Sequence, residues 1–448
     1  MVRERAISPT ELVQAHLGRI TACNPQINAF VSVFSEVALE DARDREAMIA
    51  RGEPLGRLHG VPITIKDSFD IAGQATLAGS RLRVGHRAAE NAAVVALLLN
   101  EGAILLGRTN TPEMVANYET DNFLTGRTNN PWDPGRTPGG SSGGEAAAIA
   151  AYCSPGGIAS DGGGSIRIPA HFCGIAGLKP TPGRIPTTGH FPTLGNPAGL
   201  TSVVGPMART AADLRLFFDI LASFDERDPF STPSPVINPS VDGARVGLWP
   251  QFYQAPVDPD VASALLEAAR LLSDAGFEVD SFSPSGMERA PNVWGFLFSQ
   301  WPQSFTRHLY EGREGDVHWT LSEFWTDFVP TAEQALQQLA TRDRLRAAFL
   351  RQMEGRAAIL MPVCGVPAFE HRQREWHIEG HKANLFQVTM PALIANVLGL
   401  PAVTVPVAMS SRGLPIGVQL MGHPYGDELL LQLAIQLEAA RGPWSGPK

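Results

Sequence analysis

The sequence predicts an α/β protein built on a mixed β-sheet, and three observations lead there. Short apolar, strand-like runs alternate with helical segments near the N-terminus and again toward the C-terminus, the rhythm of βαβ units. Hydrophobic residues make up 44% of the 448 and charged residues 18%, enough for a large packed core and too apolar for disorder. Between Thr125 and Gly205, glycine, proline, serine and threonine dominate, yet short apolar pieces are threaded among them. A linker of that length is uncommon inside a compact unit, so this stretch is expected to shape a backbone-lined site.

The elements follow in order. Ser8-Pro9-Thr10-Glu11 is a capping box with proline at the first helical position. Val13, Leu17 and Ile20 repeat at helical spacing, and Asn24-Pro25 is expected to stop that helix. Glu40 to Arg51 mixes alanine with charge and reads as an exposed helix. The apolar run Val61 to Asp67 reads as a strand with Lys66 at its end. A helix from Asn91 to Glu101, closed by Gly102, leads into the buried strand Ile104-Leu105-Leu106. Phe224 to Val241, rich in Ser, Pro and Asp, is expected to be a surface loop. Then come a strand at Arg245–Leu248 and an amphipathic helix over Asp260–Ala275. Four of the eight tryptophans lie between Pro291 and Pro330, with several phenylalanines. The tail returns to strands at Ile359–Met361, Ala402–Val407 and Ile416–Leu420, then a helix over Asp427–Ala440.

Bulk properties exclude several classes of function. A net charge of −9 argues against a nucleic-acid partner, which needs a concentrated basic surface. No apolar run reaches the roughly eighteen residues that a membrane-spanning helix requires; the best, Ala92 to Leu106, is broken by Asn100, Glu101 and Gly102. The N-terminus leads into a capped helix rather than an apolar signal segment. Four scattered cysteines without a C-x-x-C pair fit reduced thiols, so a soluble cytoplasmic protein is expected.

Two glycine–serine segments carry the chemistry: Gly139-Gly140-Ser141-Ser142-Gly143-Gly144 and Asp161-Gly162-Gly163-Gly164-Ser165. Three glycines before Ser165 let the backbone aim several N–H groups at one spot, as an oxyanion hole beside a hydroxyl demands. Taken alone, a flexible glycine loop is the better reading. A phosphate loop is weaker, since no G-K-[ST] follows. Ser141 and Ser142 also satisfy the G-x-S-x-G elbow, but an elbow must follow a strand. The preceding Asn130 to Pro138 is too proline-rich for a central strand, so Ser141 is expected in an irregular loop.

With the lysine at the end of Val61-Pro62-Ile63-Thr64-Ile65-Lys66-Asp67, these segments resemble the amidase signature family. That family carries Lys-Asp after a strand, then Gly-Gly-Ser-Ser-Gly-Gly, then Gly-Gly-Ser followed by Ile-Arg-x-Pro. Here the last runs Ser165-Ile166-Arg167-Ile168-Pro169, and order and spacing also match. Further similarity lies in Gly177-Leu178-Lys179-Pro180-Thr181, Gly205-Pro206-Met207-Ala208-Arg209, Gly399-Leu400-Pro401 and Gly413-Leu414-Pro415-Ile416-Gly417. Length alone suggests two or three domains. The resemblance instead implies one α/β/α domain over 1–448, a large twisted mixed sheet flanked by helices. Its signature core would span about 60–215 and a variable aromatic-rich region about 285–345.

The resemblance makes Ser165 the nucleophile, Ser141 the bridging serine after a cis peptide bond, and Lys66 the base. Gly162, Gly163, Gly164 and Ser165 would supply oxyanion-hole N–H groups. Many members have threonine at the position of Gly162; since the backbone N–H is the expected donor, that change is expected to cost little. A lysine acts as a base only when desolvation pulls its pKa toward the working pH. The apolar strand offers that burial, and Asp67, next along it, should face the other way. Without its neighbouring motifs Lys66 would read as an ordinary snorkelling lysine. Arg167, between the apolar Ile166 and Ile168, is expected to pair with Asp161 and support the loop. Ser142, Gly140 and Thr128 are weaker candidates.

Other groupings are discounted. His377, Glu379 and His381 suggest a metal site, but Gly380 and polar neighbours favour a solvated loop. His171, in an apolar stretch, is a weak candidate for a Ser-His-Asp triad. Aromatics from Trp294 to Phe328 pack cores by default; their place outside the signature core equally favours a pocket wall or lid. The expected reaction is hydrolysis of a neutral amide or anilide, with esters and small carbamates (a urethanase activity) as further candidates. Stand-alone aryl acylamidases and urethanases are the similar members. The rival reading is the glutaminase subunit of a tRNA-dependent amidotransferase. Its relatives bind glutamine with an acid shortly before Asn-x-x-Gly-Leu-Pro. Here Phe386 to Met390, ahead of Asn396, hold none. A non-catalytic binding protein is disfavoured because all three reactive side chains remain. No cofactor or metal is implied; the partner is a small amide or carbamate, the chain a monomer or homodimer. The N-terminal segment that many relatives carry is expected to be short here.

Overall fold

The computed structural model describes residues 2–195 and 198–447. Strands form at Phe30–Val33 (β1), Pro62–Lys66 (β2), Ile104–Thr109 (β3), Gly156–Asp161 (β4), Ala176–Lys179 (β5), Val203–Ala208 (β6) and Arg245–Leu248 (β7). Further strands lie at Glu278–Ser281 (β8), Ala358–Pro362 (β9), Glu375–Ile378 (β10), His381–Asn384 (β11), Ala402–Met409 (β12) and Pro415–Gly422 (β13). All but β10 and β11 join one eleven-stranded sheet, ordered β1-β3-β2-β4-β6-β5-β12-β13-β9-β7-β8. It is mixed, as the sequence predicts. β3, β2 and β4 are parallel neighbours, as are β9, β7 and β8. Antiparallel pairs carry the middle, from β4 through β6, β5, β12 and β13 to β9.

Period-two alternation along these strands divides the core into layers. Ala358 and Leu360 join Val403, Val405, Val418 and Leu420 beneath helices Ala211–Leu221, Pro259–Asp274 and Asp427–Arg441. Ile359 and Met361 face the opposite way, with Ala402 and Met421, under helices Leu385–Val397 and Ala332–Gln352. At the β3 end, Ile104 and Leu106 pack against Val13 and Ile20 of helix Pro9–Ile27, and Leu105 against the first core. Helices therefore cover both faces.

Local expectations fare unevenly. The Ser8 capping box forms, with Glu11 reaching back to the Ser8 amide at 2.9 Å. The helix does not stop at Asn24-Pro25 but runs to Ile27. Proline in a last turn removes one ladder bond at most, and the Asn24 side chain caps the exit by accepting from Ala29 and Phe30. The segment 224–241 is irregular, as expected of a surface loop. The stretch expected to be a solvated loop around His377 and His381 is a hairpin, β10–β11. Trp376, Ile378 and Ala383 are buried beneath it, a period-two pattern hidden among polar residues; both histidines are exposed. No helix among the described residues is long and apolar enough to cross a membrane.

Candidate active site

The parallel pairing of β2 with β4 brings their C-terminal ends to one edge of the sheet, where open α/β sheets place their sites. Lys66 ends β2 and Asp161 ends β4. The irregular segment 137–142 delivers Ser141 and Ser142 just before helix Gly143–Ala150, so Ser141 sits in a loop as expected. The Gly140–Ser141 peptide bond is cis. Ser165 precedes helix Arg167–Cys173, and the Ser142 amide donates to its carbonyl at 3.2 Å. Both glycine–serine segments and the lysine thus meet in space.

Lys66 is fully buried in a nest of hydroxyls. Its Nζ lies 2.7 Å from Ser141 Oγ, 3.0 Å from Ser142 Oγ and 3.1 Å from Ser160 Oγ. Burial pushes its pKa down to about 7, against the charges of Asp161 and Glu145, which favour the ammonium. Asp67 is turned away, as its strand position requires, and pairs with Arg108 Nε at 2.7 Å. Lys179 is equally buried, with a pKa also lowered to about 7 by burial first. Its Nζ meets the carbonyls of Pro180 and Leu400, which have no proton to exchange. Burial alone therefore does not single out Lys66; its hydroxyl partners do.

The glycine turn is held from two sides. Arg167 spends all five N–H groups on buried acceptors: both oxygens of Asp161 at 3.0 Å, Ala392 O, Gln419 Oε1 and Asn396 Oδ1. Burial alone would raise the Asp161 pKa, but the Arg167 charge outweighs it and holds the carboxyl far below the ordinary value. This is the Asp161–Arg167 pairing expected from the sequence. Asp161 in turn accepts from the amides of Gly164 at 2.7 Å and Ile166 at 3.1 Å. The Gly164 amide, expected to face the reacting centre, is thus committed to Asp161: Gly164 adopts φ +104° to wrap the turn around that carboxylate. The amides of Gly162, Gly163 and Ser165 donate to no other protein atom among the described residues. Gly162 O accepts from Trp294 Nε1 at 2.8 Å, and Gly163 O from the Tyr118 hydroxyl at 3.0 Å. Because C=O and N–H oppose each other across a peptide plane, these bonds turn the Gly163 amide away from Trp294.

Ser165 opens onto a cavity of about 360 Å³ walled by Tyr118, Phe191, Leu194, Trp294, Phe298, Phe324 and Trp325, among others. Among the described residues no Asp, Glu, Lys, Arg or His lines it. The buried Ser202 Oγ and Trp325 Nε1 have no protein partner among the described residues, and both residues belong to that wall. The aromatic region is both things the sequence left open. Trp294, Phe296 and Leu297 are buried in the core, while Trp294 and Phe298, stacked at 4.7 Å, also form the cavity wall. This wall gives Gly162 a second role. A Cβ there would collide with Phe298 Cε2 and lie 2.7 Å from Ser202 Oγ. Glycine at this position is what admits Phe298.

The remaining candidates fall outside the centre. Thr128 donates to Asn28 O at 2.7 Å. His171 is buried, accepts from the Gly417 amide through Nδ1 and donates to Val366 O through Nε2. Burial lowers its pKa to about 4, so it serves as a neutral structural bridge. Three residues absent from the sequence expectations reach the centre. Ser160 touches Lys66, His190 Nε2 touches Ser160 Oγ at 2.9 Å, and Glu145 receives the hydroxyls of Thr64 and Thr109. Burial pushes the Glu145 pKa up to about 7. Only adjacency to Asp161 marks Ser160 in the sequence; nothing there marks His190.

Known proteins resemble this chain in sequence and fold. Indoleacetamide hydrolase of Bradyrhizobium diazoefficiens is 36% identical over 453 aligned residues, covering 98% of this chain and 85% of that protein. One of the subunits of the glutamyl-tRNA(Gln) amidotransferase of Methylococcus capsulatus is 32% identical, covering 98% and 95%. The crystal structure of a bacterial aryl acylamidase of the amidase signature family superposes with a TM-score of 0.87 at 27% identity, covering 99% and 95%. Residues 11–431 match the model of the Amidase family, and with that span this chain belongs to the amidase signature family of amide hydrolases.

Proposed function

We propose that the chain is a stand-alone amidase that cleaves neutral aryl or otherwise apolar amides through a Ser165–Ser141–Lys66 relay. The observation that carries this is the buried amine 2.7 Å from Ser141 Oγ, beside a serine that opens onto a cavity with no charged side chain among the described residues. A serine hydroxyl becomes a nucleophile only when a base takes its proton. In this reading Ser165 Oγ attacks the amide carbonyl, its proton passes to Ser141 Oγ, and the Ser141 proton passes to the neutral Lys66. The oxyanion settles against the amides of Gly162, Gly163 and Ser165, three donors that need no reorganisation during the reaction. As the C–N bond breaks, the Lys66 proton returns through Ser141 to the departing amine. Water then attacks the acyl-enzyme by the same route and frees Ser165. Esters and carbamates pass through the same kind of intermediate, the latter leaving a carbamoyl-enzyme. No step calls for a cofactor.

The cavity wall favours this reading over a glutaminase that works only within a larger complex. Free glutamine carries an α-carboxylate and an α-ammonium, and burying either without a counter-charge is costly. Among the described residues the wall supplies none. Asn396, which opens Asn-x-x-Gly-Leu-Pro, is occupied with Asp161 and Arg167. The isolated protein is therefore expected to release nitroaniline from a para-nitroanilide of an apolar acid. Glutamine should be turned over at least about a hundredfold more slowly, as when buried polar groups go unpaired. A panel of anilides, nitrophenyl esters, carbamates and glutamine measures this. Glutamine as the best substrate, or turnover only with added partner proteins, would sink the proposal.

The wall also yields a specificity prediction. Gly162→Thr should lower kcat/KM on the anilide by roughly ten- to a hundredfold, the cost of overpacking against the stacked Phe298 ring. Adding Phe298→Ala in the same chain should recover most of the loss. Kinetics on the two variants test the pair; an unaffected Gly162→Thr enzyme would show that Phe298 does not constrain this position.

A further inference from the structure

We infer that His190, acting through Ser160, orients the Lys66 amine so that its lone pair faces Ser141. It is a positioning residue for the proton relay, and the inference rests on the reading of Lys66 as the base. The hydrogen bonds permit only one arrangement. A carbonyl oxygen accepts and never donates, so the 2.7 Å contact between His190 Nδ1 and Pro192 O places the ring proton on Nδ1. Burial keeps the ring neutral, its pKa pushed down to about 3. Nε2 is then an acceptor and takes the Ser160 hydroxyl proton at 2.9 Å.

With its single proton committed, Ser160 Oγ receives an N–H from Lys66 at 3.1 Å. Ser142 is fixed in the same sense. Its hydroxyl donates to the Ser160 carbonyl at 3.3 Å, so its oxygen receives a second N–H from Lys66 at 3.0 Å. A neutral amine has two N–H groups and one lone pair. Both N–H groups are placed, and the lone pair is left for Ser141 at 2.7 Å. Ser141 must therefore donate to the amine, which frees its oxygen to accept the Ser165 proton. Without the ring, the Ser160 hydroxyl could turn and offer its own proton to that lone pair, competing with Ser141.

The ring is well held for this task. The Gly189 carbonyl accepts from the Asp70 amide at 2.8 Å, and the Phe191 amide donates to Ser68 O at 2.7 Å. Phe69 meets the His190 ring edge-on at 4.9 Å. The segment that directly follows Lys66 thus fixes where His190 sits.

His190→Phe should lower kcat roughly three- to tenfold, the worth of one hydrogen bond, with KM little changed. His190→Gln, which offers a side-chain carbonyl as acceptor, should recover most of that loss. Ser160→Ala should cost at least as much as His190→Phe, and the double variant no more than Ser160→Ala alone, because both act through one hydroxyl. ¹⁵N NMR of histidine-labelled enzyme, assigned with the glutamine variant, should show the His190 proton on Nδ1. Additive losses in the double variant, an unchanged kcat in His190→Phe, or a proton on Nε2 would each overturn the inference. If His190→Phe does not fold, the glutamine and alanine variants and the NMR tautomer still decide it. The tautomer needs no turnover, so an enzyme inactive on the whole panel would fail the functional proposal without touching this readout.

Discussion

Ser165→Ala is expected to lower kcat/KM for an anilide by at least about 10⁴-fold while leaving the melting temperature unchanged. In the proposed mechanism the size follows from removing the attacking hydroxyl, with whatever remains coming from the bound substrate and the backbone donors. The neutrality toward folding follows from the surroundings of the side chain. Ser165 is 7% exposed and opens onto the cavity, and its backbone carbonyl, not its hydroxyl, holds Ser142. Alanine keeps that carbonyl and the amides of the turn. Single-turnover kinetics and a thermal melt on the same preparation provide the check. A variant that retains a tenth of the activity would mean that another group attacks the carbonyl, and the mechanism above would have to be abandoned.

Lys66→Met should come next in severity, with kcat/KM down by roughly 10³- to 10⁴-fold, the usual reach of a general acid–base group. Methionine fills much the same buried volume but cannot take a proton from Ser141. The pH profile separates this loss from simple damage. In the proposed relay Lys66 works only when neutral, and burial lowers its pKa to about 7. In the wild type, kcat/KM should therefore fall about tenfold per unit as the pH drops below 7 and level off above it. The charges facing Lys66 are Asp161 and Glu145, which raise its pKa and oppose the burial that lowers it. Residual activity of Lys66→Met should lack that acid limb. If the limb persists in the variant, some other group sets it, and Lys66 is not the base.

How the site was legible differs from residue to residue. Lys66, Ser141 and Ser165 stood out because their three segments together, in order and spacing, resemble the amidase signature; each segment alone has a plainer reading. Asp161 and Arg167 were foreseen as a pair from the apolar flanks of Arg167, and the pair does hold the turn. The Gly164 amide went the other way. Three glycines in a row suggest three similar donors, but a positive φ at Gly164 closes its amide onto Asp161. His190 left no mark on the chain that sequence reading uses, and Ser160 only its adjacency to Asp161. Their roles depend on a loop far along the chain folding back beside β2, which no local periodicity records. The helix that runs through Pro25 and the hairpin at His377 are smaller cases of the same kind, where packing overrode a local stop signal or a polar composition.

By itself the sequence determined the mixed α/β architecture and the family, and it singled out Lys66, Ser141 and Ser165 as candidates. These reside in short-range patterns: alternation along strands, capping residues, and glycines beside hydroxyls. Tertiary structure alone decided which amides stay open, which hydroxyls surround Lys66, and that no charged side chain among the described residues lines the aromatic wall. Those properties are set by distances and directions between segments far apart in the chain, since hydrogen bonds and burial depend on position in space rather than on order along the backbone.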